Sequence, residues 1–126
     1  MVAARILLVE DDAYVLALLS LALLAAEYVV DTASTVAEGM ARLAGMSYSL
    51  VATDWRLPDG DGMEIADHAA NRGAKTIIFT GYVFHIPAEI TTRHEWLMKP
   101  MQHSDFVSAV RRRLGEATTA TVAISN

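Results

Sequence analysis

Short apolar runs alternate with longer helical patterns along the whole chain. The short runs are rich in branched and aromatic residues and predict β-strands over residues 6–9, 28–30, 49–53, 76–79 and 95–98. Helical patterns follow them over residues 12–27, 36–44, 63–72, 84–93 and 105–114. We expect the fourth helix to be short or irregular because Pro87 interrupts it. Five strand–helix repeats with continuously apolar strands predict an α/β fold with a doubly wound, five-stranded parallel sheet.

Length and composition favour one folded domain. The chain has 126 residues, of which 53% are hydrophobic and 20% charged, and its net charge is -5. This acidic balance argues against nonspecific binding to nucleic acid or anionic membranes. The absence of cysteine excludes disulfides and thiol chemistry. We assign residues 1–115 to the domain and 116–126 to a C-terminal tail, and the early charged residues, unlike a signal peptide, predict a cytoplasmic location.

Polar residues follow four of the predicted strands, at the edge of a parallel sheet where ligands usually bind. In chain order they are Glu10 and Asp11, Asp54, Thr80, and Lys99. Three carboxylates close together would repel one another unless a cation is present, and oxygen ligands favour Mg²⁺ or Mn²⁺. The alternative is that the first acidic residues only cap the following helix, which is the better interpretation for Asp12.

This set of residues suits phosphoryl transfer to a carboxylate. It offers an aspartate nucleophile, a metal site, and a lysine and a hydroxyl that can hold the incoming oxygens. A different function, an aspartate-nucleophile phosphatase, would usually need a second aspartate two residues after the nucleophile as general acid. That position holds Arg56.

Four short motifs in this order resemble those of the receiver domain of two-component response regulators. They are Leu8-Val9-Glu10-Asp11-Asp12, the run from Thr53 to Gly62 with Pro58 four residues after Asp54, Phe79-Thr80-Gly81, and Lys99-Pro100. The resemblance covers residues 5–114. It implies a flavodoxin-like (βα)5 fold with strand order 2-1-3-4-5 and a phosphoacceptor signalling module instead of an enzyme with turnover. We expect a stand-alone regulator, with a fragment of a larger regulator or hybrid kinase as the alternative. A pseudo-receiver used only for binding is disfavoured by the complete set of polar residues.

The resemblance implies a role for each acidic residue. Asp54 would accept the phosphoryl group from a sensor histidine kinase or a histidine phosphotransfer protein. Asp11 would bind Mg²⁺ directly and Glu10 through water, and the backbone carbonyl of Arg56 would join Asp54 as a further ligand.

The remaining motif residues would contact the phosphoryl group or respond to it. Thr80 would donate a hydrogen bond to it, and Lys99 would pair with it next to a cis peptide bond to Pro100. Trp96 stands where the family has its switch aromatic, usually tyrosine or phenylalanine. Its size leaves the usual coupling to Thr80 open, and a strand aromatic packed beside the core is an equal alternative.

Two residues that influence attack by water in this family are Arg56 and Tyr82. Both are large and neither is an evident base, which predicts slow self-dephosphorylation. For Arg56, an ordinary exposed loop residue is an equally good interpretation. His85, His94 and His103 are interpreted as scattered surface histidines and not as a metal site.

The first predicted helix has apolar residues on both faces. We expect Val15, Leu18, Leu19, Ala22, Leu23 and Ala26 to face the sheet, and Ala13, Leu16, Ala17, Ser20, Leu21 and Leu24 to face outward. The outer face, with Leu16, Leu21 and Leu24, predicts a homodimer through this helix and the last helix, or docking on a kinase helix bundle. The alternative is that residues 118–124 of the tail cover it. The apolar stretch of residues 13–26 is too short to span a membrane, and nothing predicts direct DNA binding.

Overall fold

The computed structural model describes residues 3–81 and 93–116. Five parallel strands form its main sheet: β1 (Arg5–Val9), β2 (Val29–Ala33), β3 (Leu50–Asp54), β6 (Lys75–Thr80) and β7 (Glu95–Met98). Their order in the sheet is β2-β1-β3-β6-β7. A short hairpin of two two-residue strands, β4 (Arg56–Leu57) and β5 (Gly60–Asp61), follows β3 and has no counterpart in the predicted elements. Without the hairpin, the order is the expected 2-1-3-4-5, so the predicted fold class is confirmed.

Four helices lie among the described residues: α1 (Ala13–Ala25), α2 (Val36–Gly45), α3 (Gly62–Asn71) and α4 (His103–Arg113). The last corresponds to the fifth predicted helix, and the helix predicted over 84–93 falls almost wholly outside the described residues. Asp12 caps α1, accepting hydrogen bonds from the backbone N–H groups of Tyr14 and Val15. The capping interpretation of Asp12 is therefore confirmed.

Alternate strand residues pack on opposite faces of the sheet, and each face has its own core. On one face, Ile6, Leu8 and Phe79 pack with residues of α1 and α4. On the other face, residues such as Leu7 and Val51 pack with α2 and α3. Coverage of both faces explains why the strands are continuously apolar instead of alternating.

The connection after β3 is fastened to the start of α2. The Asp59 carboxylate accepts hydrogen bonds from the backbone N–H groups of Val36 at 2.7 Å and Ala37 at 3.0 Å. These two bonds lower the pKa of Asp59, since they favour its charged form. The hairpin beside Asp54 is thus held by a helix N-terminus on the same edge of the sheet.

Three assignments of the α1 faces are wrong. Ser20, expected on the outer face, is half-buried, and its hydroxyl oxygen is buried. Leu16, expected on the outer face, is half-buried and packs against the core on the α1 side. Leu18, expected against the sheet, is 41% exposed. A helix packed in the groove between the sheet and a neighbouring helix buries a stripe that is rotated from the one expected for contact with the sheet alone.

Candidate functional site

The predicted site residues lie together at the carboxyl ends of the parallel strands. Glu10 follows β1, Asp54 ends β3 and Thr80 ends β6, and all three are buried. Register places them side by side, since Val9 pairs with Thr53 and Asp54 pairs with Phe79. The sheet therefore forms the floor of the site, as the strand-end argument predicted.

Three carboxylates converge at this edge. Glu10, Asp11 and Asp54 each place one oxygen within 4.8 Å of the others. Glu10 and Asp54 are buried whereas Asp11 is exposed, so the cluster opens to solvent on the Asp11 side. An all-oxygen, strongly negative donor set fits a hard divalent cation such as Mg²⁺.

Lys99 bridges two of these carboxylates. Its ammonium group lies 2.7 Å from Asp54 Oδ2 and 2.8 Å from Glu10 Oε1. Burial raises the pKa of Glu10, although the Lys99 hydrogen bond opposes that shift. Burial works against the charged form of Lys99, yet its hydrogen bonds to Asp54 and Glu10 raise its pKa. The lysine thus remains a cation that partly neutralises the cluster.

The end of β7 is held beside Thr80. The backbone N–H of Lys99 donates to the Thr80 carbonyl at 2.9 Å, and the Lys99–Pro100 peptide bond is cis, as the resemblance implied. The Lys99 ammonium group also lies 5.5 Å from the centroid of the Phe79 ring, on the strand next to Asp54. These contacts direct the lysine side chain across the sheet edge toward the carboxylates.

Gly62 allows the chain after the hairpin to pack directly against the backbone carbonyl of Asp54. Its N–H donates to the Trp55 carbonyl at 2.6 Å, and a Cβ at this position would lie 1.9 Å from the Asp54 carbonyl oxygen. The Thr53 hydroxyl also donates to that carbonyl, at 2.9 Å. In the sequence, Gly62 stands out only as part of a motif, because its close backbone contact depends on the fold.

An aromatic pair flanks the site. Trp55 and Trp96 meet edge to face, with ring centroids 5.7 Å apart, and the Arg56 guanidinium lies 5.0 Å from the centroid of the Trp55 ring. The Trp96 indole N–H is buried and has no hydrogen-bond partner among the described residues. Trp96, the expected switch aromatic, therefore contacts the residue that follows Asp54. Its register partner on β6 is Ile78, and no sequence signal pointed to its pairing with Trp55.

Other predicted residues lie elsewhere or outside the described chain. Leu21 and Leu24 are exposed on α1, His103 is exposed at the start of α4, and Tyr82 and His85 lie outside the described residues. The interpretation of His94 as a surface histidine is wrong, since this residue is 3% exposed.

His94 connects three elements through its ring nitrogens. Nδ1 contacts the Thr76 hydroxyl on β6, and Nε2 lies 2.8 Å from Asp67 Oδ1 on α3. Thr76 begins the buried part of β6, at the opposite end of that strand from Thr80. In this hydroxyl–imidazole–carboxylate set, Thr76 and His94 are buried and Asp67 is half-buried. The set stabilises the start of β7 and lies away from the acidic cluster.

The chain is similar to proteins of one known family. The family model for the response regulator receiver domain matches residues 6–111. The acid tolerance regulatory protein ActR of Rhizobium meliloti is 31% identical over 116 residues, and the transcriptional regulatory protein GlrR of Escherichia coli is 32% identical over 124. These matches cover 88% and 94% of this chain but 60% and 28% of those proteins.

A solved structure shows the same fold. The CheY-like response regulator receiver domain protein from Methanospirillum hungatei superposes with a TM-score of 0.80 at 29% identity, covering 90% of this chain and 95% of that one. No helix among the described residues has the length and apolar character that a membrane span requires. Fold, strand-end residues and family match together show that the chain belongs to the response regulator receiver domain family of two-component signalling.

Proposed function

We propose that this domain is a phosphoacceptor whose Asp54 is phosphorylated in a Mg²⁺-dependent reaction. One observation carries the proposal: Lys99 bridges Asp54 and Glu10 within a cluster of three carboxylates. A purely structural cluster at a sheet edge would not require two buried acids beside a lysine, because burying charges is costly. The same arrangement suits a site where charge is added and must be balanced.

The carboxylate cluster would hold the metal ion. Asp11 and Asp54 would bind it directly, Glu10 through water, and the backbone carbonyl of Arg56 would add a ligand. When bound, Mg²⁺ would shield the negative charge of the nucleophile and of the incoming phosphoryl oxygens. Mn²⁺ offers the same oxygen-ligand chemistry.

The transfer itself needs positioning and charge balance more than acid–base chemistry. An Asp54 carboxylate oxygen would form a bond to phosphorus as the bond from phosphorus to the donor's histidine nitrogen breaks, and the electron pair returns to that nitrogen. Lys99 would then pair with a phosphoryl oxygen, and the Thr80 hydroxyl would donate to another. Thr80 and Trp96 would carry the response to neighbouring surfaces.

The donor would be a sensor histidine kinase or a histidine phosphotransfer protein, and the domain, residues 1–115, would act in the cytoplasm. Its output would be a change in protein–protein contacts, with a homodimer as one such contact. Arg56 is exposed and its guanidinium lies against Trp55. It is a poor base for an attacking water, because a guanidinium has no acceptor for the proton of that water. We therefore expect slow self-dephosphorylation, with Tyr82 as the second residue that controls it. A phosphorylated state that decays within seconds would contradict this expectation.

The test is phosphorylation by a small phosphodonor such as acetyl phosphate, read by intact-mass spectrometry. With Mg²⁺ the wild type should gain one phosphoryl group, whereas Asp54→Asn and a sample in chelator should gain none. Glu64→Gln, an exposed acidic residue in the first turn of α3, is the matched control and should be phosphorylated like the wild type. Equal phosphorylation of Asp54→Asn would overturn the proposal.

A beryllofluoride mimic provides a second readout. Because Trp55 follows Asp54 and contacts Trp96, occupancy of the site should change tryptophan fluorescence in the wild type but not in Asp54→Asn. An unchanged wild-type signal, together with no added phosphoryl group, would contradict the assigned site.

A further inference from the structure

Asp59 lies at the turn of the hairpin after β3 and bonds to a helix that begins 23 residues earlier. Its two carboxylate oxygens accept hydrogen bonds from the backbone N–H groups of Val36 and Ala37, the first two residues of α2. This helix also has a cap of its own, since Thr35 Oγ1 accepts from the Glu38 N–H. The bonds of Asp59 therefore join two segments that are distant along the chain.

The hairpin depends on such an anchor. Its strands β4 and β5 have two residues each, which is too short for a stable ribbon by itself. At the end near the phosphoacceptor, the Gly62 N–H bonds to the Trp55 carbonyl, and Leu57 is buried in the core on the α2 side. Asp59 fixes the opposite end, at the turn. The backbone of Arg56 lies between these anchors, which together set its position.

The anchor at the turn lies at the surface. Asp59 and Ala37 are exposed, whereas Leu57 and Val36 are buried. Removing the Asp59 carboxylate leaves no cavity in the core, so the domain should stay folded. The same change releases the turn of the hairpin from α2. The main effect of such a change is therefore expected on the hairpin and on the site beside it.

We propose that Asp59 is a positioning residue for the metal site: by holding the hairpin against α2, it fixes the backbone carbonyl of Arg56 and sets the Mg²⁺ affinity of the carboxylate cluster. This inference rests on the proposed function, in which that carbonyl is a metal ligand. Coupling between two sites acts in both directions. Occupancy of the metal site should therefore strengthen the bonds between Asp59 and the start of α2.

The first test is a Mg²⁺ titration followed by tryptophan fluorescence. Residues that orient metal ligands typically change metal affinity about 10–100-fold, and Asp59 acts one step further away, so Asp59→Ala should weaken binding about three- to tenfold. Asp59→Asn removes the same charge but keeps a side-chain carbonyl that can accept from the Val36 N–H, so it should recover part of the affinity. Equal losses in the two variants would assign the effect to charge alone and overturn the positioning role.

A second variant removes a hydrogen bond without changing a charge. Ala37→Pro deletes the N–H that bonds to Asp59 Oδ2, and this N–H lies in the first turn of α2, where it has no partner within the helix. It should weaken Mg²⁺ binding, though less than Asp59→Ala. Ser104→Pro is the matched control, at the exposed second residue of α4, whose N-terminus has no side-chain cap within the described chain. Equal affinities of Ala37→Pro and Ser104→Pro would contradict the proposal.

Hydrogen exchange measured by NMR reports the reverse coupling without any phosphorylation. Mg²⁺ should slow exchange of the Val36 and Ala37 amides in the wild type. In Asp59→Ala, the same amides should exchange faster and no longer respond to Mg²⁺. Exchange that is independent of Mg²⁺ in the wild type would overturn the coupling between the metal site and α2.

Acetyl phosphate labelling separates this inference from the proposed function. Asp59→Ala should need more Mg²⁺ for half-maximal labelling of Asp54 but reach the wild-type rate at saturating Mg²⁺, whereas a merely destabilised protein would be slower at every concentration. A labelled wild type with the same Mg²⁺ dependence as Asp59→Ala overturns the role of Asp59 alone. A wild type that neither binds Mg²⁺ nor becomes labelled overturns the proposed function and this inference with it.

Discussion

Replacing Gly62 by alanine should both destabilise the domain and disturb the phosphoacceptor. Gly62 is the first residue of α3, and its N–H bonds to the Trp55 carbonyl. An added Cβ would lie 1.9 Å from the Asp54 carbonyl oxygen and 2.9 Å from Thr53 Oγ1. The first of these neighbours is backbone of the strand that carries the nucleophile, so it cannot move without moving Asp54.

The magnitude follows from three contributions. Overpacking against a fixed backbone costs about 1–3 kcal/mol, and loss of the hydrogen bond to Trp55 costs about 1 kcal/mol. The helix preference of alanine over glycine offsets about 1 kcal/mol. We expect a net loss of about 2 kcal/mol of unfolding free energy, which corresponds to a fall in Tm of about 8 °C for a domain of this size.

Urea and thermal unfolding, followed by circular dichroism, measure this loss. The matched control is Gly45→Ala at the end of α2, where a Cβ would meet nothing within 4 Å. Because that position already has a φ that alanine adopts, Gly45→Ala should stabilise the domain by about 0.5–1 kcal/mol. The two identical substitutions should therefore change stability in opposite directions.

Phosphorylation by acetyl phosphate reports the local consequence. Gly62→Ala should slow the labelling of Asp54 under conditions in which the variant is fully folded, whereas Gly45→Ala should leave the rate unchanged. A Gly62→Ala protein as stable as the wild type would refute the argument from the close contact. A destabilised variant with an unchanged labelling rate would separate the packing of Gly62 from the geometry of the site.

Three further results are expected. His94→Ala should lower the unfolding free energy by about 2–4 kcal/mol in urea, because it leaves a cavity and removes the partner of the buried Thr76 hydroxyl. Exposed His103→Ala should stay within about 0.5 kcal/mol of the wild type, and equal effects of the two substitutions would contradict the assigned cluster. Asp11→Asn should weaken Mg²⁺ binding at least about tenfold in a tryptophan fluorescence titration, whereas Glu64→Gln should bind Mg²⁺ like the wild type. A wild-type Mg²⁺ affinity in Asp11→Asn would exclude Asp11 as a ligand. Burial and a hydrogen bond to Glu116 raise the pKa of Tyr28 to about 12, and burial and a hydrogen bond to Asp31 raise the pKa of Tyr48 to about 12. The stability that these tyrosines contribute below about pH 10 should therefore fall as the pH rises toward 12. The double variant Tyr28→Phe/Tyr48→Phe should remove much of this loss in alkaline unfolding curves.

Hydrophobic pattern was enough to place the strands of the sheet. The predicted run 95–98 coincides with β7, and the other four strands differ from the predicted runs by one to three residues at an end. The pattern is reliable here because strands covered on both faces must be apolar throughout. The hairpin after β3 escaped prediction because its four residues carry no periodic pattern and are fixed by the contacts of Asp59 and Gly62.

The convergence of Glu10, Asp11 and Asp54 was also predictable, since parallel strands bring their carboxyl ends to one edge. Which side chains contact one another at that edge was not predictable. Neither the Trp55–Trp96 pair nor the His94–Asp67 contact that accompanies the burial of His94 has a sequence signal, because each contact joins residues that are distant along the chain.

Chain order and side-chain chemistry therefore determined the fold class, the acidic edge and the single lysine beside it. Tertiary structure decided the rotation of α1, which buries Leu16 and exposes Leu18. It also decided that a glycine must follow the hairpin and that Lys99 spans two carboxylates. The physical reason is that periodicity along one element fixes only which residues share a face. How deeply that face is buried, and which residues it contacts, depend on the neighbouring elements packed against it.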